Sequence, residues 1–288
     1  MAALDDAKVL LRSNDAGAVP RAFAAAQAAL GEGGPDADLL MALLYGAGVG
    51  APQSWPMAMD HLHAAADGGS AAARDQIAVL GGQDWAAPSR KDVLSAAPRI
   101  IAIDGFIARP VCDWVIGRSL GRTSEAMVYD ADAGQASAGA DRGNSAFEFG
   151  FLDLDLVLLR VRERIAATIG FPVAAFEPIQ ALHYEVGQRF NRHHDYLNPG
   201  LPGHAADIQQ RGQRVITFLV YLSEDFDAGE THFPRLDLRR RCPAGGALYF
   251  GNVDPAGAPD PRTLHEGLAP TRGEKWLLSQ WIRNRVVV

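Results

Sequence analysis

The stretch YEVGQRFNRHHDYL, Tyr184–Leu197, places a histidine, His193, and a carboxylate, Asp195, two residues apart. In an extended segment, residues i and i+2 point to the same face. A second stretch, LHEGLAPTRGEKW at Leu264–Trp276, adds His265. Two imidazoles and one carboxylate on one face can hold a metal ion with open coordination positions, the pattern typical of non-haem Fe(II) that activates O2. We therefore predict an iron site formed by these three side chains.

Lys275 follows the second histidine within the same stretch, after the turn-forming sequence APTRG. The turn allows the strand that carries Lys275 to return beside the strand that carries His265. A buried cation is costly unless an anion pairs with it, so we expect the carboxylate of a bound co-substrate as its partner. On its predicted strand, Tyr184 shares a face with Gln180 and Leu182, and on the next strand Thr217 alternates with Ile216 and Phe218. Tyr184 and Thr217 are candidate hydroxyl donors to the same cavity.

The sequence pattern from Pro178 onward consists of short, β-rich runs separated by Gly, Pro, Asn and Asp. Such runs are typical of a closed β-sandwich or jelly roll. The predicted strands span residues 178–186, 213–222, 230–234, 246–251, 262–266 and 275–283. An apolar stripe at helical spacing precedes them and predicts a helix that ends near Ile169 and packs on the outside of the sheet.

The N-terminal part repeats itself at an offset of 36 residues, as Pro20 against Pro56 and Gly33 against Gly69 show. A period in the thirties, made of two helix-length pieces with a glycine turn, is typical of a helical solenoid. The second unit resembles a Sel1-like repeat, a relative of the tetratricopeptide repeat. We predict an all-α repeat domain over residues 1–88, which either binds a polypeptide or buttresses its neighbour. A linker over residues 84–98 leads into a second domain over residues 98–288.

The composition narrows the classes of partner and compartment. The net charge of −7 over 288 residues gives no basic face for nucleic acid. Two cysteines make no disulfide framework, and no apolar run reaches the ~20 residues of a membrane span. The N-terminus does not look like a signal peptide. We predict a cytoplasmic protein without a nucleic-acid or membrane partner, and the sequence leaves its oligomeric state open.

The segment from about Pro98 to Arg283 resembles the catalytic domain of the prolyl 4-hydroxylase type of 2-oxoglutarate- and Fe(II)-dependent dioxygenases. The matching stretches are PRIIAIDGFI, LHYEVGQRFNRHHDYL, RVITFLVYLSEDFDAGETHFP, GGALYFGN and LHEGLAPTRGEKWLLSQWIR. The resemblance implies an α+β protein whose catalytic domain is a double-stranded β-helix (jelly roll) with flanking helices. It also implies site roles: iron and catalysis for His193, Asp195 and His265; 2-oxoglutarate for Lys275, Tyr184 and Thr217.

The same resemblance implies a peptide or protein substrate, with Arg142 and Trp281 near it, and hydroxylation of a peptidyl residue such as proline. It implies O2 as the oxidant and ascorbate as a reductant. Two alternatives stay open: hydroxylation of an aspartyl or lysyl side chain in a small modified peptide, and a non-catalytic adaptor whose barrel senses iron or oxygen. Nucleic-acid demethylation by the same kind of barrel is disfavoured, because it calls for a basic face and usually for arginine at the position of Lys275.

Overall fold

The computed structural model describes residues 2–13, 15, 17–125, 128–130, 135–137 and 143–286. The helices are α1 Ala2–Leu11, α2 Ala18–Leu30, α3 Pro35–Ala47, α4 Trp55–Asp67, α5 Ala71–Gly81, α6 Arg109–Ser119, α7 Leu156–Ile169 and α8 Pro202–Arg211. The strands are β1 Lys91–Ala96, β2 Arg99–Ile103, β3 Ser124–Glu125, β4 Val128–Asp130, β5 Gln135–Ser137, β6 Ser145–Glu148, β7 Gln180–Tyr184, β8 Phe190–His193, β9 Arg214–Tyr221, β10 Asp227–Ala228, β11 Thr231–Phe233, β12 Leu238–Arg240, β13 Ala247–Gly251, β14 His265–Gly267, β15 Pro270–Arg272 and β16 Lys275–Arg283. The predicted mixed helix-and-sheet class is confirmed. Across the described ranges, no helix combines the length and the apolarity that crossing a bilayer demands.

The chain divides into two compact units. One comprises Met1–Trp85 and Gly150–Arg164, and the other comprises Ala86–Phe149 and Ile165–Val288. The predicted domain ranges of 1–88 and 98–288 stay a prediction. The compact units differ from them because residues 150–164 are grouped with the N-terminal helices.

The helical unit packs closely because its buried positions hold small side chains. Ala22, Ala26, Ala58 and Ala65 are fully buried. Gly46 in α3 is one such close approach, where an added Cβ would lie 2.6 Å from Cδ2 of Leu156. Helix α7 therefore exists where its apolar stripe predicts it, but its first turns pack against α3, whereas we expected the outside of the sheet. The assignment of α2–α5 to a repeat family stays a prediction.

The second unit contains two antiparallel sheets that share one apolar core. The large sheet has the strand order β1-β2-β13-β9-β16-β7-β6-β3, and the small sheet has the order β12-β11-β14-β8. Side chains of both sheets form one buried cluster, in which Phe233 of the small sheet packs edge-on against Phe250 of the large sheet with ring centroids 5.0 Å apart. The inner faces of the two sheets therefore face each other, as the alternating pattern of the predicted strands requires.

Two elements of this unit differ from the sequence-based expectations. The predicted linker contains β1, which pairs with β2 through its backbone although most of its side chains are exposed. Its sequence shows no alternation of apolar residues, so the strand could not be predicted from the pattern. The loop after the iron-site motif contains α8, with Pro202 at its first position and Gly212 (φ 82°) after its end. These are ordinary helix start and stop signals, but α8 buries no residue completely and has no apolar stripe to reveal it.

Candidate active site

Neighbouring strands of the small sheet bring the predicted metal ligands together. β8 and β14 place His193 directly opposite His265, and Asp195 follows the end of β8. Nε2 of His193 lies 3.6 Å from Oδ1 of Asp195, and Nε2 of His265 lies 3.4 Å from Oδ2 of Asp195. One possible ligand atom of each residue lies within 4.8 Å of the other two. The three side chains therefore converge as one metal ion requires.

Backbone carbonyls fix the orientation of both imidazoles. Nδ1 of His193 lies 2.7 Å from the carbonyl oxygen of Asn191, and Nδ1 of His265 lies 3.0 Å from that of Thr263. A carbonyl only accepts hydrogen bonds, so each Nδ1 carries the hydrogen and each Nε2 presents its lone pair. Thr263 belongs to a short 3₁₀ turn in which the Asp260 side chain accepts a hydrogen bond from the turn's backbone. This turn holds the second carbonyl in place.

Asp195 is held by a chain of two buried polar side chains. The hydroxyl of Thr217 donates to Oδ2 of Asp195 over 2.7 Å, and Nδ2 of Asn252 donates to the Thr217 hydroxyl over 2.9 Å. The hydrogen of Thr217 is thus engaged with the carboxylate. That Thr217 holds the co-substrate stays a prediction, and the structure adds a contact that orients Asp195. Asn252 was not among the predicted site residues, although it ends the stretch GGALYFGN that carries the family resemblance.

The electrostatics of the site favour the protonation states that metal binding needs. Burial lowers the pKa of His265 to about 4, further aided by the nearby His193. Burial alone would raise the pKa of Asp195, but His265, His193 and the Thr217 hydroxyl together hold it well below its usual range. At neutral pH the site therefore presents a neutral imidazole at His265 beside a carboxylate. These are the forms of histidine and aspartate that bind Fe(II).

Lys275 lies on the large sheet, directly opposite Tyr184. Its side chain is fully buried, and its Nζ has no hydrogen-bond partner among the residues that the structure describes. The ammonium lies 4.6 Å from the centre of the Tyr184 ring, and burial lowers its pKa to about 7 while Glu230 partly opposes this shift. A dry cation with an unfilled hydrogen-bonding capacity fits the carboxylate of a small acid.

One cavity is lined both by the predicted metal ligands and by Lys275. Its wall combines residues of both sheets: Leu182, Tyr184, Phe190, His193, Asp195, Thr217, Leu219, Thr231, His265, Gly267, Lys275, Leu277, Ser279 and Trp281. All of the predicted metal- and co-substrate-binding residues are therefore in one place. Thr231 and Gly267 were not among the predicted site residues, although both lie in stretches that carry the family resemblance.

Trp281 lines the same cavity, and its indole Nε1 is buried with no hydrogen-bond partner in the described part of the chain. The guanidinium of Arg214 stacks on the indole ring at 3.7 Å. Glu177 holds this guanidinium with both carboxylate oxygens, at 2.6 and 2.8 Å, and also accepts a hydrogen bond from the buried Arg283. The indole therefore has a fixed backing of charged groups. Arg142, the other predicted substrate contact, lies outside the described residues.

Comparison with known proteins identifies the class to which this fold and site belong. The model of the 2OG-Fe(II) oxygenase superfamily matches residues 179–283, a range that contains the two histidines predicted to bind metal, Asp195 and Lys275. The Arabidopsis thaliana protein "Probable prolyl 4-hydroxylase 6" is 31% identical over 217 residues, which cover 69% of this chain and 73% of that protein. "Prolyl 4-hydroxylase 1" of the same plant is 29% identical over 211 residues, covering 68% of this chain and 72% of that protein.

The chain belongs to the prolyl 4-hydroxylase type of the 2OG-Fe(II) oxygenase superfamily, and it is an Fe(II)- and 2-oxoglutarate-dependent dioxygenase. A further relative, "Probable prolyl 4-hydroxylase 7" of Arabidopsis thaliana, is 31% identical over 68% of this chain, and the match spans 66% of that protein. The structure is also similar to that of a viral collagen prolyl hydroxylase from Paramecium Bursaria Chlorella virus-1 solved with 2OG. That similarity has a TM-score of 0.49 at 25% identity and covers 64% of this chain and 95% of that chain.

Proposed function

We propose that this dioxygenase hydroxylates a prolyl residue of a peptide or protein. The observation that carries the proposal is one cavity in which the triad of His193, Asp195 and His265 faces a buried, unpaired Lys275. The relatives named as prolyl 4-hydroxylases direct the choice of substrate. In the overall reaction, 2-oxoglutarate and O2 become succinate and CO2, and one oxygen atom enters a C–H bond of the substrate.

The three side chains of the triad are proposed to hold Fe(II), which supplies the oxidative chemistry when bound. Three protein ligands leave coordination positions for the 2-oxo acid and for O2. The protein's part is to fix these ligands before the metal arrives. The carbonyls of Asn191 and Thr263 set the imidazole tautomers, and the Thr217 hydroxyl holds the carboxylate.

Lys275 is proposed to bind the distal carboxylate of 2-oxoglutarate, with the hydroxyl groups of Tyr184 and Thr217 nearby. The ammonium is buried in the wall of the cavity, where a hydrogen bond between charged groups is stronger than in water. The apolar neighbours Leu182, Leu219 and Leu277 exclude water from this end of the cavity. The co-substrate would thus be oriented by a charge at one end and by the metal site at the other.

Trp281 is proposed to face the peptide. Its unpaired Nε1 offers one hydrogen bond to a carbonyl oxygen, and the indole face offers a flat apolar surface that suits a proline ring. The stacked Arg214 keeps the indole from rotating away. Arg142 is retained as a second substrate contact on the strength of the resemblance alone.

We also propose the finer assignments: a double-stranded β-helix for the two sheets, Sel1-type repeats for α2–α5, a cytoplasmic location and ascorbate as a reductant. The periodic sequence supports the repeats. The pairing of two facing antiparallel sheets supports the β-helix.

The test is incubation of the full chain with Fe(II), 2-oxoglutarate, O2 and a set of proline-containing peptides, read by mass spectrometry. A gain of one oxygen atom on proline, together with stoichiometric succinate, is the expected result. A His193→Ala variant should give neither product. An oxygen atom mapped to an aspartyl or lysyl side chain would replace proline as the target. Failure of the wild-type protein to consume 2-oxoglutarate under all conditions would support the adaptor alternative.

A further inference from the structure

Gly267 occupies an unusual position in the wall of the cavity. It ends β14, opposite Phe190 of β8 and Thr231 of β11. A Cβ atom added at Gly267 would lie 3.3 Å from the hydroxyl oxygen of Tyr184 and 3.7 Å from Nζ of Lys275. The glycine is therefore in contact with the two groups proposed to hold the distal carboxylate of the co-substrate.

The backbone itself does not require glycine at this position. The φ angle of Gly267 lies outside the left-handed region, in contrast to described glycines such as Gly229 and Gly273. Glycine weakens a strand because it has more conformational freedom to lose and no side chain to pack. A strand glycine with ordinary dihedral angles usually marks a place where another group approaches closely. Here the approaching groups are a hydroxyl and an ammonium.

A side chain at this position would have little room to be accommodated. A contact of 3.3 Å at a Cβ is tighter than most, and the Tyr184 ring is buried and cannot easily withdraw. Lys275 is fully buried too. Even a methyl group would therefore cover part of the surface through which the ammonium and the hydroxyl meet a ligand.

We propose that Gly267 sets the chain length of the 2-oxo acid that this enzyme accepts. The missing side chain leaves the Lys275 end of the cavity deep enough for the distal carboxylate of a five-carbon dicarboxylic acid. With a methyl group there, the distal carboxylate loses its approach to Lys275, while a shorter acid keeps its contacts at the metal end. This inference rests on the proposed roles of Lys275 and the triad.

The experiment compares wild-type protein with Gly267→Ala. Mn(II) replaces Fe(II) to prevent turnover, and calorimetry measures the dissociation constants of oxaloacetate, 2-oxoglutarate and 2-oxoadipate, which have four, five and six carbons. Gly267→Ala should raise the dissociation constants of 2-oxoglutarate and 2-oxoadipate by at least about tenfold, as expected when a buried polar group loses its partner. Oxaloacetate should change by less than about threefold, so the preference for 2-oxoglutarate over oxaloacetate falls.

The matched control is Gly251→Ala, a strand glycine whose added Cβ would approach nothing closer than 3.7 Å. Its constants should match those of the wild type. A second variant, Gly267→Ala combined with Tyr184→Phe, removes the hydroxyl that the new methyl group contacts. If the methyl group acts through that contact, the double variant loses less affinity than the two single losses added together.

The outcomes separate this inference from the proposed function. If wild-type protein binds 2-oxoglutarate and Lys275→Ala does not, the proposed co-substrate site stands. If Gly267→Ala then leaves the ratio of the dissociation constants of oxaloacetate and 2-oxoglutarate unchanged, the role of Gly267 alone is overturned. Equally weakened binding of all three acids has the same consequence. If wild-type protein binds none of the acids in the presence of metal, the proposed co-substrate site itself is wrong.

Discussion

Lys275 and Tyr184 lie directly opposite each other on β16 and β7, and the lysine ammonium stands 4.6 Å from the centre of the tyrosine ring. The ring face attracts the cation, but such an interaction contributes only about 1–2 kcal/mol. No carboxylate pairs with the ammonium among the described residues. The ligand-free protein therefore bears a destabilising group at the position where the co-substrate is proposed to bind.

Replacing Lys275 with methionine should separate stability from binding. Removing an unpaired buried cation is expected to raise the free energy of unfolding of the ligand-free protein by about 1–4 kcal/mol. The same change should raise the dissociation constant of 2-oxoglutarate by about 100-fold or more, because the charged hydrogen bond is lost. Chemical denaturation and calorimetry measure the two effects. Lys91→Met is the control: it removes an exposed ammonium that donates to the carbonyl of Thr168, so it should not stabilise the protein and should leave 2-oxoglutarate binding unchanged. A less stable Lys275→Met would contradict the expectation.

The stability of the wild type should depend on pH through Lys275. Burial lowers its folded pKa to about 7, whereas an unfolded lysine titrates near ~10.4. Between these values the unfolded chain binds more protons, so the wild-type free energy of unfolding rises with pH in this window. The advantage of Lys275→Met over wild type should accordingly be largest near pH 7 and shrink toward pH 10. Denaturation curves of both proteins across this range measure it, and a constant difference would refute the shifted pKa.

Binding of 2-oxoglutarate at pH 8 should take up a proton. With a pKa of about 7, most of the Lys275 amine is neutral at this pH. A bound carboxylate favours the charged form and raises the pKa again. Calorimetry in two buffers of different ionisation enthalpy should therefore report a net uptake of protons when the co-substrate binds. The Lys275→Met variant serves as the reference, and zero uptake by the wild type would show that the lysine is already charged.

Thr217→Val should weaken metal binding. Valine keeps the shape but cannot donate to Asp195, and it also leaves Nδ2 of Asn252 without its acceptor. Loss of such a supporting hydrogen bond typically lowers metal affinity about 10- to 100-fold. Mn(II) titration followed by calorimetry measures the change. Thr271→Val, at an exposed threonine, is the matched control, and equal affinities of all three proteins would show that Asp195 needs no such support.

Glu177→Gln should destabilise the fold. Glu177 is buried and accepts hydrogen bonds from the partly buried Arg214 and the fully buried Arg283. The change therefore removes a charged partner from both guanidinium groups, although Arg283 keeps Asp207 as a second carboxylate. A loss of about 3–5 kcal/mol is expected. Burial would raise the pKa of Glu177, but the two arginines keep it below its usual range. The contribution is therefore present above the unfolded pKa of ~4.3 and is lost as the pH falls through the folded value.

Denaturation at pH 7 and at successively lower pH measures this contribution, with the exposed Glu148→Gln as control. The difference between wild type and Glu177→Gln should shrink in acid. A difference that does not depend on pH would mean that packing, and not charge, accounts for the effect. Raised KM values for peptide in a Glu177→Gln protein that is still folded would indicate that the carboxylate also positions Trp281 through Arg214.

The sequence predicted the residues whose chemistry follows a strand's alternation. His193 and Asp195 share a face, and Lys275 shares one with Trp281, because side chains alternate with a period of two. Each of these residues lines the predicted cavity. The sequence pattern could not predict which residues of different strands contact each other in the folded protein. Asn252 is recognisable only after β13 pairs with β9, which brings it beside Thr217.

The sequence also could not predict which elements pack against helices α7 and α8 and against strand β1. The apolar stripe of α7 shows which face is buried but not what covers it, so its contact with α3 near Gly46 was not expected. β1 is held by backbone hydrogen bonds to β2, which leave no mark on side-chain composition. α8 buries no residue completely and is fixed by ion pairs, such as that between Asp207 and Arg283, that only the folded chain brings together.

The two sheets divide the co-substrate site between them. His193 and His265 belong to the small sheet, whereas Lys275 and Tyr184 belong to the large sheet. A molecule of 2-oxoglutarate held at both ends would span the gap and add a polar cross-link to layers that otherwise meet through apolar rings. The stability of the two packed sheets would then depend on the concentration of 2-oxoglutarate. At low concentrations of this acid the enzyme would be inactive and would also unfold more easily.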